Sequence, residues 1–390
     1  MSFGTLALIS AVAVLGPLLA LPNRWHIPIL LGELLAGVIL GHTGFGILHP
    51  EGASFTLLAN IGFALVMFVA GTQVPVRDPR LPAALRTGAL RVLGVGALAV
   101  PVALGVAYLF GTGHPALYAV LFASSSAALV LPIVETLRLD GAPVVALLPQ
   151  VAIADTLCIV ALPLAIDTRH AARAALGAAA VIGCTAVLFV VLRRLEHSGI
   201  RRRLHRLSER RKFALELRIN LVILFALAAL AVATHVSILL AGFGFGLAVG
   251  AVGEPRRLAR QLFALTEGFL GPLFFVWLGA SLDIREFGHR ISFILLGVVL
   301  GGCALLVHAA MRLTGQPLSM SGLAAAQLGV PVAAATIGSQ LHVLAAGESA
   351  ALILGALITI AAAVVAGGYA VRTGLVKPTD PPVVADQVAQ

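Results

Sequence analysis

The chain has 390 residues, of which 59% are apolar and only 11% are charged. A water-soluble domain carries about a quarter charged residues because its surface faces water, so this composition excludes a soluble enzyme. The apolar residues come in long runs and do not alternate with polar ones, which excludes a transmembrane β-barrel. The sequence therefore predicts an all-α, polytopic membrane protein.

Apolar runs separated by polar breaks predict about thirteen transmembrane helices. They cover residues 3–21, 27–41, 54–74, 82–110, 115–137, 142–166, 171–193, 213–235, 237–252, 262–282, 288–312, 317–342 and 349–371. An arginine-rich linker, 194–212, divides a membrane domain of 1–375 into a first repeat of about 3–193 and a second of about 213–371. Residues 376–390 contain three prolines and few apolar residues, which predicts a disordered cytoplasmic tail.

The distribution of basic residues predicts the orientation of these helices. Of the 26 Lys and Arg residues, 22 lie in or beside the loops that follow odd-numbered helices, and four lie on the opposite side. Basic residues accumulate on the cytoplasmic side of membrane proteins, so the N-terminus is predicted outside and the C-terminus in the cytoplasm, in the inner (cytoplasmic) membrane of the cell. The same bias explains the net charge of +9 by contact with membrane lipid, without a nucleic-acid partner.

One acidic residue, Asp155, lies in the middle of a predicted helix. It is thirteen residues into 142–166, about 20 Å along the helix axis and close to the bilayer midplane. A carboxylate at that depth costs about 3 kcal/mol. We therefore interpret Asp155, with the neighbouring Thr156, as a binding site for a proton or a cation. A satisfied polar contact between helices is the structural alternative.

Two predicted helices, the fifth and the twelfth, contain small and polar residues followed by a proline. These residues are Ser124, Ser125, Ser126, Ala128 and Pro132 in the fifth helix, and Gln327, Gly329 and Pro331 in the twelfth. Each proline leaves the carbonyl four residues earlier, that of Ala128 or Gln327, without its helical donor. The two prolines are 199 residues apart, at matching places in the two halves. Interrupted helices at corresponding positions of an inverted repeat indicate the substrate site of a transporter.

Two more polar residues inside predicted helices, Glu33 and Gln150, are candidates for gating, although Glu33 could also serve helix packing. His308 is interpreted as a core residue, with pH sensing as the alternative. The sequence contains no nucleotide-binding loop and no hydrolase or zinc motif, so no cofactor is predicted. The metal ion expected is a transported Na⁺ or K⁺ at Asp155.

Several short stretches have the order and spacing of a known family. They are GELLAG at 32–37, LG at 40–41, FVAG at 68–71, SSS at 124–126, LP at 131–132 and GPLFFVWLGASLD at 271–283. Through nearly its whole length the chain resembles the membrane domain of the monovalent cation:proton antiporter-2 family, which includes Na⁺/H⁺ exchangers and Kef-type potassium-efflux antiporters. Asp155 falls where that family keeps its ion-binding aspartate.

The resemblance implies an inverted-repeat fold with a dimerisation domain and a mobile core, in which two broken helices cross. It also implies an elevator-like movement of the core and a homodimer. The chain departs from the family at Ala154, where strongly electrogenic relatives carry a second aspartate and Kef-type members a glutamine. The lysine that many members hold in the eleventh span is absent as well, and that neighbourhood reads Gly302-Cys303.

The resulting hypothesis is that Asp155 alone binds a proton and a monovalent cation in turn. Ser124, Ser125, Ser126, Thr156 and free backbone carbonyls would supply further oxygen ligands. With one carboxylate and no membrane lysine, the simplest ratio is one H⁺ for one Na⁺ or K⁺, which predicts electroneutral exchange. The alternatives are a sodium-coupled symporter of an organic anion and a channel-like K⁺ efflux protein. An intramembrane enzyme would need a second catalytic group beside Asp155.

Overall fold

The structure of the protein is a computed structural model. The residues that it describes are 2–20, 29–73, 81–166, 171–198, 215–234, 236, 238–253, 256–281, 291–345 and 347–375. All regular secondary structure in these ranges is helical, as expected for backbone that crosses a bilayer and must satisfy its hydrogen bonds internally.

Seventeen α-helices form within the described ranges. In chain order they are α1 (Phe3–Ala13), α2 (Leu15–Ala20), α3 (Ile29–Leu40), α4 (Ala53–Gln73), α5 (Leu81–Phe110), α6 (Pro115–Ala123), α7 (Ala127–Thr136), α8 (Ala142–Ile166), α9 (Ala171–His197), α10 (Leu215–Ala233), α11 (Ile238–Val252), α12 (Arg256–Leu265), α13 (Gly271–Ala280), α14 (Ile291–Ala309), α15 (Leu318–Ala324), α16 (Gly329–Gln340) and α17 (Glu348–Arg372). A π-helical turn, Thr266–Leu270, joins α12 to α13, and a 3₁₀ turn, Ala310–Thr314, extends α14.

The prediction of an all-α polytopic membrane protein is confirmed. In the described part of the chain, ten helical segments are long and apolar enough to cross a membrane by length and composition. Three predicted spans, 3–21, 27–41 and 237–252, correspond to shorter helices, of which α3 has only 12 residues. The total of thirteen therefore stays a prediction.

Two helix pairs are packed through glycine in the same way. A Cβ atom on Gly279 of α13 would lie 3.0 Å from the Cα of Gly37 of α3, and a Cβ on Gly71 of α4 would lie 3.0 Å from the Cα of Gly246 of α11. Small residues allow the two backbones to touch. The contact of α3 with α13 matches that of α11 with α4, so α3 corresponds to α11 and α4 to α13. This exchange of partners is what an inverted repeat produces.

The helices pack as two groups. The core helices, α5–α8 and α14–α17, contact one another, and α17 packs along α14, α15 and α16. The panel helices, α1–α4 and α9–α13, form the second group, whose main contacts are α4 with α11 and α3 with α13. The two groups meet mainly where α7 packs against α4 and where α8 packs against α9 and α11.

The order of elements from α3 to α8 recurs from α11 to α17, and α9 and α10 lie between the two series. Helix α9 ends at His197, within the linker predicted at 194–212. Residues 199–214 of that region and the predicted tail 376–390 lie outside the described residues. The repeat boundaries and the tail therefore remain predictions.

Candidate ion-binding site

The fifth predicted helix is interrupted at its three serines. Helix α6 ends at Ala123 and α7 begins at Ala127, with Ser124 in an extended conformation between them. The Ser124 hydroxyl donates to the carbonyl of Leu121 at 2.8 Å, so the side chain competes with the helical hydrogen-bond ladder. The break therefore coincides with the serines, and Pro132 lies inside the second half-helix.

The twelfth predicted helix is interrupted between Ala324 and Gly329, where α15 ends and α16 begins. Gln327 lies in this break, and its side chain is buried. Pro331 is the third residue of α16, in a first turn whose N–H groups have no helical acceptor. The proline thus helps to begin the second half-helix and does not interrupt one already formed.

The two breaks touch each other. The side-chain Nε2 of Gln327 donates to the carbonyl of Leu121, at the end of α6, over 2.6 Å. The backbone N–H of Gln327 donates to the hydroxyl of Thr359 on α17 at 3.2 Å. The predicted crossing of two broken helices is confirmed, and a side chain of one break caps the carbonyl end of a half-helix of the other.

Asp155 lies on α8 beside the first break and is only 3% exposed. Its Oδ2 accepts a hydrogen bond of 2.8 Å from the backbone N–H of Ala127, the first residue of α7. The N-terminus of a helix presents free N–H groups and the positive end of the helix dipole, both of which stabilise a carboxylate. Among the described residues Asp155 forms no ion pair. The carboxylate thus faces protein and has no cationic neighbour there.

The predicted oxygen ligands lie in different surroundings. The hydroxyl of Ser125 is buried and has no hydrogen-bond partner among the residues that the structure describes. The carbonyl of Ser126 accepts the N–H groups of Leu129 and Val130 and so begins α7. Thr156 is half-buried, and its hydroxyl donates to the carbonyl of Ala152 on its own helix at 2.8 Å. The structure therefore brings the serine break to Asp155, whereas the Thr156 proton is directed along α8.

The two gating candidates occupy separate places. Glu33 is buried on α3 in the panel, and its Cγ lies close enough to α2 that a Cβ on Gly16 would be 3.0 Å away. Gln150 is buried on α8 in the core, where its Oε1 accepts a 3.0 Å hydrogen bond from the side chain of Gln316. Within the described residues no hydrogen bond joins either one to Asp155. Their role in gating stays a prediction.

Three buried polar residues of the core helices were not assigned a functional role from the sequence. Thr359 contacts the second break from α17, and a single threonine in a long apolar helix carries no signal of such a contact. His308 on α14 is 1% exposed and lies beside the backbone of Phe122 and Ser124, although among the described residues neither ring nitrogen completes a hydrogen bond. Arg91, one of the 22 basic residues predicted to lie in or beside the cytoplasmic loops, is 7% exposed and donates from Nε to the Thr314 hydroxyl at 3.2 Å.

Half-helices that meet around a buried carboxylate, within an inverted repeat, are typical of secondary transporters. The chain belongs to the sodium/hydrogen exchanger family, whose transmembrane profile matches residues 10–370. The resemblance to a family of monovalent cation:proton antiporters is thereby confirmed, and the Kef-type relationship stays a prediction.

Individual relatives are similar to this chain at low sequence identity. The putative Na⁺/H⁺ antiporter YjbQ of Bacillus subtilis (strain 168) is 23% identical over 386 aligned residues, 92% of this chain and 61% of that protein. This chain therefore spans about three fifths of the length of that relative. The probable Na⁺/H⁺ antiporter 3 of Methanocaldococcus jannaschii is 26% identical over 292 residues, 70% of this chain and 71% of that protein.

The fold is also that of a solved structure. The sodium proton antiporter MjNhaP1 from Methanocaldococcus jannaschii at pH 8 matches with a TM-score of 0.64 at 17% identity. The match covers 95% of this chain and 97% of the other. At this identity the likeness establishes the arrangement of helices.

Proposed function

We propose that the protein is a secondary transporter that exchanges a monovalent cation, Na⁺ or K⁺, for H⁺ across the membrane. The observation that carries the proposal is Asp155, a buried carboxylate held by one backbone N–H at the start of a half-helix. A carboxylate without a cationic neighbour can be neutralised by a proton or by a cation. Family membership supports this reading, as does the similarity to the putative Na⁺/H⁺ antiporter YjbQ and to the probable Na⁺/H⁺ antiporter 3.

The exchange follows from competition for one side chain. When Asp155 is protonated, its second oxygen still accepts the N–H of Ala127, so the half-helix keeps its contact. When Asp155 is ionised, the buried charge requires a counter-ion. The Ser125 hydroxyl, which has no protein partner, and the carbonyls of the break supply oxygen atoms of the type that a hard cation prefers. Thr156 retains acceptor capacity, although its proton is directed to the carbonyl of Ala152.

The movement proposed is an elevator-like displacement of the core helices along the panel helices. Each group makes most of its contacts internally, which supports their moving as separate bodies. The contacts of α7 with α4, and of α8 with α9 and α11, would change during the movement. Assembly as a homodimer through the panel is implied by the family resemblance and belongs to the same proposal.

Exchange is proposed to be electroneutral because one carboxylate carries either one proton or one cation. The core then crosses with the same charge in both directions. Transport in liposomes should therefore proceed at the same rate when a membrane voltage of either sign is imposed. A clear dependence of the rate on voltage would require a second transported charge.

The alternative of an organic-anion symporter finds less support. A cavity of about 390 Å³ lies between panel helices α4 and α13 and core helix α16. Its polar lining consists of neutral groups, such as Asn60 and Thr336, among apolar side chains such as Phe63 and Trp277. No Lys or Arg lines this cavity among the described residues, whereas an organic anion calls for a basic group or a helix N-terminus.

The test uses purified protein in liposomes that contain a pH-sensitive dye, challenged in turn with Na⁺, K⁺ and Li⁺. Wild type should move protons in response to at least one cation, and Asp155→Asn should not. Glu51→Gln is the matched control, because it removes an exposed carboxylate outside the predicted spans. If Asp155→Asn exchanges ions as fast as wild type, the assigned site is wrong. Cation flux without proton movement would favour the channel-like alternative.

A further inference from the structure

A buried polar cluster joins the outer ends of the core helices, on the face that the charge distribution predicts to be external. The carboxylate of Glu348 receives three hydrogen bonds: from Nδ1 of His114 at 2.9 Å, from the hydroxyl of Tyr118 at 2.7 Å and from the backbone N–H of Ala345 at 3.0 Å. We call these four residues the outer clasp. Glu348 is fully buried, whereas the side chain of His114 is 23% exposed.

The local sequence explains why the clasp forms. His114 is the residue before α6, where Pro115 begins the helix. Glu348 is the first residue of α17 and follows Gly347, whose φ of 89° allows the chain to turn sharply into the helix. A carboxylate at a helix N-terminus is stabilised by the free N–H groups and the helix dipole. The clasp thus ties the start of α6 to the loop between α16 and α17.

The clasp is mechanically connected to the ion site. Tyr118 lies one helical turn before Leu121, whose carbonyl receives the side chain of Gln327. On the other side of the clasp, α17 runs inward from Glu348 to Thr359, which receives the backbone N–H of Gln327. Helix α17 therefore holds α6 at its outer end and the second break at its middle. A change at the clasp would shift both broken helices.

We infer that the outer clasp is an external pH sensor, in which a proton on His114 locks the outer ends of the broken helices together, restrains the two breaks at the ion site and so slows ion exchange. This inference rests on the proposed transport function and adds regulation to it. External protons reach the exposed edge of His114, while the buried Glu348 receives the charge of the imidazolium. Loss of that proton leaves the carboxylate without its cationic partner and loosens the loop.

The direction of the pH effect follows from the contacts of His114. Its hydrogen bond to Glu348 raises the pKa of His114 above the ordinary value, against the opposing effect of burial, and the nearby charge of Glu348 and the carbonyl of Val343 raise the pKa further. A raised pKa in the closed clasp means that closure is most stable below about pH 6.5 and weakens as the pH rises through the raised pKa.

Other titratable groups belong to the clasp or lie in the chain segments next to it. The described ones are Tyr118 on α6, Tyr108 near the outer end of α5, His342 in the loop after α16, and Glu348 itself. Of these, Glu348 is the group whose charge acts on His114. His342 lies in the same loop and provides a matched control for the loss of a histidine.

The experiment measures hydrogen exchange at the amide of Ala345 by mass spectrometry, on the full chain in lipid nanodiscs between pH 6 and 9. After correction for the intrinsic pH dependence of exchange, wild type should lose protection as the pH rises, by about tenfold for each unit by which closure raises the pKa of His114. His114→Asn keeps a donor near the position of Nδ1 but cannot become charged, so its protection should be low and constant. His114→Lys keeps a permanent charge and should stay protected up to pH 9.

Two outcomes would overturn the sensor. One is an equal loss of protection in wild type and His114→Asn; the other is a loss of the pH dependence in His342→Asn. These measurements need no ion gradient, so they decide the clasp separately from the proposed transport. In liposomes with fixed internal pH, His114→Asn should exchange ions faster than wild type at acidic external pH, and His114→Lys should not. Identical external-pH profiles for wild type and His114→Asn would refute the regulatory role even if the clasp opens as described.

Discussion

The panel and core helices differ in their buried polar side chains more than in their glycine packing, since Gly301 also meets Gly355 between core helices α14 and α17. In the panel, paired glycines such as Gly37 with Gly279 bring backbones into contact, and few polar side chains are buried. In the core, buried polar side chains connect helix to helix, as Gln327 does between the two breaks. Glycine packing allows one close arrangement of two backbones, whereas a side-chain hydrogen bond can be exchanged for another. The difference indicates a panel built for rigidity and a core built for chemistry and rearrangement.

The difference between panel and core follows from what surrounds their helices. Lipid tails give apolar helices no hydrophobic reason to associate, so close backbone packing is what holds panel helices together. A broken helix exposes N–H and carbonyl groups at membrane depth, and these must find partners in the protein. The buried polar residues of the core supply such partners. Substitutions in the panel should therefore affect folding, and substitutions at the core site should affect transport.

The largest effect is expected from Gly279→Ala in the panel. The added methyl group would overlap the backbone of Leu34 and lie 2.9 Å from the N–H nitrogen of Val38, so α3 and α13 must separate. We expect a loss of about 3 kcal/mol in the free energy of unfolding. The measurement is the fraction of monodisperse protein remaining after heating in detergent, compared with wild type.

Two further variants make that test specific. Gly71→Ala places the same methyl group in the matching contact of α4 with α11 and should be equally damaging if the repeat is symmetric. Gly183→Ala on panel helix α9 points into open space and should be tolerated. Equal stability of Gly279→Ala and Gly183→Ala would contradict the view that backbone contact holds the panel.

An intermediate effect is expected from Gln327→Ala in the core. The change removes one of the donors to the Leu121 carbonyl, which also accepts from the Ser124 hydroxyl, and leaves the end of α6 less satisfied, at a cost of about 2 kcal/mol. Transport should fall more than stability does, because the crossing loses its alignment. The measurement pairs thermal unfolding with proton flux in liposomes, and Thr336→Val on α16 serves as a control whose hydroxyl bonds only to its own helix. A variant with normal flux would show that the Gln327 contact does not position the site.

The fold class could be predicted from the sequence because it depends on features averaged over many residues, such as the length of apolar runs. The position of Asp155 was accessible too, since one acid in an apolar helix stands out. The cause of the breaks was harder to predict from the sequence. Prolines carry the stronger local signal for a helix break, but the serines interrupt the first helix and Pro331 starts a half-helix. Contacts between residues far apart in the chain, such as Gln327 with Leu121, leave no local pattern.

Arg91 also shows that the sequence does not predict which residues pack together. Counting basic residues assigned it to the cytoplasmic end of a helix, but the structure buries it against Thr314. Positive-inside counting registers where a residue falls along a span, whereas burial depends on which helix packs beside it. Local sequence therefore predicts depth better than it predicts partners.

The smallest effect on stability is expected at two neighbouring serines of the first break. Comparing them tests the core site most closely. Ser124→Ala removes a hydrogen bond to the Leu121 carbonyl and should cost about 1 kcal/mol. Ser125→Ala removes a buried hydroxyl that has no partner, so the free energy of unfolding should stay equal or rise slightly. If that hydroxyl is a cation ligand, Ser125→Ala should nevertheless raise the cation concentration needed for half-maximal exchange. Thermal unfolding and cation titration in liposomes separate the two residues, and an unchanged cation dependence in Ser125→Ala would remove it from the proposed site.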